Sequence, residues 1–220
     1  MGRRIKCKAL VLRSSQYGES SKMLTAVTDE LGKISISAKG ASKPQGPFLA
    51  SAQDFCYSVM ELSEGKNGIY TLCECELINS FYDLRENLDV LFAAYEIGKT
   101  VLTVSQEQNP DNDLLRLTLN TLYCLSTTAA KTKAAENDAE QIETIIKKRI
   151  EFIRSVFYIR LASDQGFFNY PEDFREKATE QAVSHITSND FKEIFAFGLS
   201  NSSLSELSEI AEKARTGVLE

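Results

Sequence analysis

The 220-residue chain reads as an α+β protein, with a small five-stranded barrel first and an all-α domain after it. Three observations carry that reading. Apolar residues alternate with polar ones through the first eighty or so positions, as in Ile34-Ser35-Ile36-Ser37. From Phe81 onward they recur instead at steps of three and four. Charge divides in the same place: residues 1–50 hold nine basic and three acidic side chains, whereas the remaining 170 hold sixteen and twenty-eight.

The strands follow from the period of two, because successive side chains of a strand point to opposite faces. Expected strands cover 5–12, 23–28, 33–38, 55–62 and 69–78. The turns between them carry Tyr17-Gly18-Glu19-Ser20, Asp29-Glu30-Leu31-Gly32 and Ser63-Glu64-Gly65-Lys66-Asn67-Gly68, and Gly32 and Gly40 bracket the third strand. Five short strands that can pair antiparallel make a small barrel. An OB-fold is the leading arrangement and an SH3-like barrel the alternative.

A helix with the apolar stripe Leu84, Leu88, Leu91, Tyr95 and Leu102 comes next, stopped by Asn109-Pro110, after which Asp111 can cap a second helix. Leu115, Leu119, Leu122 and Leu125 mark that helix, and 127–137 reads as a polar connection. A long third helix follows through Ile142, Ile146, Ile153 and Leu161. Short helices near 172–187, 189–198 and 203–215 close the chain, the last opened by the capping box Ser203-Leu204-Ser205-Glu206. The domain boundary falls near residue 80, giving 1–80 and 81–220.

Composition excludes several chemistries. The one histidine, His185, leaves no partner for a Ser–His or Cys–His nucleophile or a histidine-rich metal site. Gly98-Lys99-Thr100 resembles the tail of a phosphate-binding loop, but Ala93 stands where the first glycine is needed and the tripeptide lies in a helical pattern. Cys73 and Cys75, two apart on a strand, are expected on one face as a buried apolar pair, and acidic pairs such as Asp29-Glu30 and Glu74/Glu76 as surface residues. The five cysteines, an odd number, and the lack of an apolar run long enough to span a bilayer place the chain in a reducing cytoplasm, nucleoid-associated if it binds DNA. No catalytic set emerges. The informative residues are basic and aromatic: Arg13, Lys22, Lys33, Lys39 and Lys43 at strand ends and loops, with Tyr17 in the first turn. Sequence-tolerant nucleic-acid binding needs cations for phosphates and a ring on which a base can stack.

The same segments resemble a known family. Val11-Leu12, Tyr17-Gly18-Glu19-Ser20-Ser21-Lys22-Met23-Leu24, Thr28-Asp29-Glu30-Leu31-Gly32-Lys33 and Ala38-Lys39-Gly40-Ala41 resemble the N-terminal signature of the RecO family of DNA repair and recombination mediators. Leu77 to Arg85 resembles the family's passage from barrel to helices, and Phe157-Tyr158-Ile159-Arg160-Leu161 with Gly166 resembles the helix before its zinc-binding insert. The resemblance implies an OB-fold, a helical domain, and no nucleotide hydrolysis. It also implies binding of single- and double-stranded DNA, annealing of complementary strands, and work with RecR and single-stranded DNA-binding protein so that RecA can load. DNA contact would fall on Arg13, Tyr17, Lys22, Lys33, Lys39 and Lys43. The acidic tail of single-stranded DNA-binding protein would find Lys148, Arg149, Arg154 or Arg160 on the third helix. Where the family carries zinc cysteines after the glycine matched by Gly166, this chain has Phe167-Phe168-Asn169-Tyr170-Pro171, so the zinc module is expected to be lost and no cofactor is expected. A generic single-strand binder and a protein-interaction scaffold without DNA binding are the other two readings of the barrel.

Overall fold

The computed structural model describes residues 3–133 and 139–220; the end of the expected polar connection lies outside them. Strands β1 (Arg4–Tyr17), β2 (Ser21–Thr28), β3 (Gly32–Ala38), β4 (Tyr57–Glu64) and β5 (Ile69–Asn79) close a barrel in the order β1-β2-β3-β5-β4. All neighbours are antiparallel except β3 and β5, which run parallel through three residue pairs, Ser35 with Ile69 to Ser37 with Thr71. This is the OB-fold arrangement.

One long strand serves two neighbours. The first half of β1 pairs with β4 and the second with β2, and a bulge between Val11 and Arg13 leaves Leu12 as the extra residue. A bulge bends its strand and shifts the in–out alternation by one. Before it Cys7, Ala9 and Val11 face the core. After it Arg13 is exposed. The core is completed by Leu24, Ala26, Ile34, Ile36, Met60, Leu62, Tyr70 and Leu72, and Ala41 and Ala52 of the β3–β4 connection belong to the same cluster. Burial there pushes the Cys7 thiol up to about 12, so it packs as a neutral apolar group.

Leu10, Leu12 and Val27 are equally buried but fall outside that cluster. Leu12 and Phe55 lie against Gly98, which belongs to the same compact unit as the barrel. That unit comprises the residues up to Phe81 together with Gly98–Leu115. The Lys33 amide donates to the Gln106 carbonyl at 3.0 Å, and Glu107 bridges to Gly32 and Lys33. Gly32 has φ of 65°, and a Cβ there would stand 2.5 Å from the Asn109 carbonyl oxygen. The turn before β3 therefore needs glycine twice, for its left-handed backbone and for this close approach.

The second unit holds Tyr82–Ile97 and Arg116–Glu220. The helices are α1 (Leu88–Val104), α2 (Asn112–Lys133), α3 (Ala139–Asp164), α4 (Lys177–Ser188) and α5 (Asn201–Leu219). Asp111 caps α2 as expected, accepting from the Leu114 amide at 2.8 Å. Of the expected stripe only Leu84, in the short turn before α1, is fully buried, and Leu91 and Leu102 are half-buried. Leu88 and Tyr95 are exposed, and Val90, Ala93, Ala94, Ile97 and Val101 are buried in their place. No helix forms over 189–198; hydrogen-bonded turns occupy Asp190 to Ala196.

α3 packs on α5 and α4, and from Phe152 to Ala162 it is buried on nearly every side. Its Arg160, only 13% exposed in the side chain, is clamped by Asp164, the Ile186 and Asn189 carbonyls, and the Phe191 ring. The expected capping box at Ser203 is replaced by a different device. Ser200 caps α5 by accepting from the Ser203 amide, and Glu206 turns away to accept from the Arg175 and Glu176 amides ahead of α4. Among the described residues no helix is long and apolar enough to cross a membrane.

Candidate nucleic-acid interface

Register decides which side chains share the barrel's outer face. On β2, Leu24 and Ala26 point into the core, so Ser21, Met23 and Thr25 point out. Opposite them stand Tyr17, Ser15 and Arg13 on β1. On β3, Ser35 pairs with Thr25 and Ser37 with Met23, and across the parallel junction these two meet Ile69 and Thr71 of β5. The result is a continuous lattice of hydroxyls and small apolar groups over β1, β2, β3 and the start of β5. Arg13 stands in one of its rows and Tyr17, 61% exposed, at its end.

The β3–β4 connection brings two more cations to that end. Gly40, with φ of 73°, turns the chain away after Ala38. The Ser42 amide then donates to the Ser20 carbonyl at 3.0 Å, and the Ser42 hydroxyl bonds Gln16 at 2.7 Å. Lys39 and Lys43, both exposed, are thereby held beside the β1–β2 turn that carries Tyr17. Glu19 is an exposed carboxylate in the same turn.

The other two expected cations are occupied within the fold. Lys22 follows the inward parity of Leu24, and its ammonium donates to the Ala52 carbonyl at 3.0 Å and Gln53 Oε1 at 3.1 Å. Lys33 donates to the Leu102 carbonyl at 3.0 Å. The structure thus brings together Arg13, Tyr17, Lys39 and Lys43 and takes Lys22 and Lys33 into packing. The hydroxyl lattice of Ser15, Thr25, Ser35, Ser37 and Thr71 is not evident from sequence. Its one signal there is the alternation of Ile34–Ser37, which reveals an outer face but not the strands that extend it.

The opposite wall of the barrel is balanced in charge. Lys6 pairs with Glu61 and Glu61 with Glu74; Lys8 pairs with Val59 and Val59 with Glu76. Arg4 is ion-paired to Glu61. On this wall Lys6 faces a carboxylate directly and Lys8 stands in a row with one a strand further on, whereas Arg13 faces Thr25. Here too the reading of Cys73 and Cys75 changes. Glu61 pairs with Glu74 but Leu62 with Leu72, so Cys73 is the extra residue of a bulge, while Cys75 packs against the core. The two thiols are not a shared-face pair.

On α3, Arg154 donates to Glu96 at 2.7 Å beside Glu212, and Arg160 is clamped as described. Lys148 is exposed. Arg149 lies 4.8 Å from the Phe152 ring and lines a cleft of about 420 Å³ with Tyr123, Cys124, Lys131 and Ile145. His185 bonds the Glu193 carbonyl and Asn189, a packing role. Gly98-Lys99-Thr100 sits inside α1. The loop after Gly166 offers aromatic rings and no cysteine or histidine up to Pro171, so these residues do not fit a zinc site. Among the described residues no three His, Cys, Asp or Glu side chains gather as metal ligands.

Fold and face define an OB-fold barrel with a polar, cation-flanked outer sheet, followed by a helical bundle. Residues 1–81 match the family described as Recombination protein O N terminal. The chain is 28% identical to the DNA repair protein RecO of Acetivibrio thermocellus over 230 residues, covering 95% of this chain and 89% of that protein. It is 34% identical to the RecO of Clostridium novyi over 125 residues, 56% of this chain and 48% of that one. With the RecO of Bacillus subtilis it shares 35% over 121 residues, 55% of this chain and 47% of the other. The last two alignments therefore span about half the length of those relatives. The first 81 residues are thus similar to the N-terminal part of the RecO family.

Proposed function

We propose that this chain is a non-enzymatic mediator of DNA repair and homologous recombination. Its barrel would bind single- and double-stranded DNA and anneal complementary strands, and its helical part would carry protein partners. The observation that supports this most is the outer sheet of β1, β2 and β3. Its hydroxyl lattice is free of carboxylates in the paired rows and is flanked by Arg13, Lys39 and Lys43, with Tyr17 placed to stack a base. Such a face holds phosphates without reading bases. Annealing follows when it neutralises two backbones at once and holds the strands close. RecR and, through it, RecA are the expected partners by family. The acidic tail of single-stranded DNA-binding protein would use Lys148 and Arg149, since Arg154 and Arg160 already serve internal pairs.

The deciding experiment is strand annealing of complementary oligonucleotides coated with single-stranded DNA-binding protein. Acceleration by the chain is expected. Affinity for single strands without annealing would leave a generic binder. No affinity at about 50 mM salt, where phosphate contacts are strong, would leave the scaffold reading.

A further inference from the structure

We propose that the far half of β5, Glu74–Asn79, is a docking edge for an extended, basic strand of another protein. A strand's peptide groups point alternately to its two sides, so an unpaired edge presents donors and acceptors ready for a further strand. β5 pairs with β4 as far as Asn79, with Ile78 the extra residue of a bulge near that end, but with β3 only from Ile69 to Thr71. β3 ends at Ala38, and the left-handed Gly40 carries the chain away. The exposed edge at the start of β3 is covered by Gln106 and Glu107. Among the described residues no backbone group plays that part for Glu74–Asn79. The stretch is exposed except for half-buried Cys75, and Leu77 and Ile78 are 41% and 49% exposed.

Charge selects the occupant. Glu74 and Glu76 stand on the outer face, in rows already occupied by Lys6 with Glu61 and by Lys8 with Val59. A cation on the incoming strand would continue the row from Lys6 through Glu61 to Glu74. Charge also works against a second copy of β5 in the two-fold antiparallel registers centred on Cys75 or Glu76, which set Glu74 against Glu76 or Glu76 against itself. The fitting partner alternates lysine or arginine on the outer side with apolar residues beside Cys75 and Leu77. This inference does not rest on DNA binding, which uses the other wall of the barrel.

The test is hydrogen exchange on the full chain with two synthetic peptides of about eight residues, one alternating lysine with valine and one alternating glutamate with valine. Exchange at 74–79 should slow with the lysine peptide alone. In the Glu74→Lys, Glu76→Lys double variant the preference should invert, with the lysine peptide weakened by about tenfold. If that variant fails to fold, Glu74→Gln with Glu76→Gln should abolish the discrimination between the peptides. The proposal is overturned by protection elsewhere, by equal response to both peptides, or by no protection at about 1 mM peptide, the weak limit of specific docking. Protection of 74–79 that rises with protein concentration alone would assign the edge to a second copy and also overturn it.

Discussion

Five cations of the barrel have the same formal charge and two different occupations. Lys22 and Lys33 hold backbone carbonyls thirty and sixty-nine positions away, pairings that no local pattern announces. Arg13, Lys39 and Lys43 face water. Alanine at each of the outer three should leave stability nearly unchanged and lower the log–log salt slope of single-strand binding by about 0.7 for each phosphate no longer neutralised. Lys22→Ala or Lys33→Ala should instead cost about 1–2 kcal/mol of folding stability in denaturant titration, because a partly buried carbonyl loses a charged donor. Glu206 makes the corresponding case among acids. Burial pushes its pKa up, but the amides of Arg175 and Glu176 and the Thr179 and Arg175 side chains outweigh this and hold it below its ordinary 4.5. A carboxyl depressed in the fold contributes stability above its unfolded pKa and loses it as pH falls through the folded one. Thermal melts should therefore weaken as pH drops below about 4.5, and Glu206→Gln should flatten that part of the curve while lowering stability at neutral pH.

The strands are legible in sequence because alternation is strict where one face is buried, as at Ile34 to Ser37. Pairing is not. The bulges at Leu12 and Cys73 are defined by a partner strand, and each reverses the parity that the local sequence implies. In α1 the helix is evident but its buried face is misleading, since Leu88 and Tyr95 offer more apolar area than Ala93 and Ala94. Small side chains are buried where a neighbour comes close, and large ones are often left on the surface. The capping residue of α5 lies three positions earlier than its sequence suggests, at Ser200 rather than Ser203, because Glu206 is claimed by the amides before α4. At the turn into β3 the requirement is backbone shape. Gly32→Ala should destabilise the fold by about 2 kcal/mol or more, through its positive φ and its collision with Asn109. Faster exchange of the Lys33 amide should accompany that destabilisation.

Across the whole chain, the charge contrast visible in composition marks the end of the molecule that carries the cations, but not the wall. Lys6 and Lys8 contribute to the same tally as Lys39 and Lys43, yet their rows run into carboxylates, Lys6 opposite Glu61 and Lys8 across Val59 from Glu76. Only closure of the barrel sorts the two sets. That closure draws on Gly98–Leu115, whose residues shield Leu12 and Phe55 and cover the leading edge of β3. A fragment of residues 1–81 should therefore melt lower than the intact chain and self-associate, as seen by light scattering, because it leaves an apolar flank and a strand edge open. The same arrangement bears on synthesis. A ribosome delivers all five strands before it delivers the segment that protects them, and chains generally fold as they emerge. The barrel must wait, incompletely covered, until residue 115 has left the exit tunnel, so the interval in which a nascent chain is most exposed to aggregation is written into the order of its own segments.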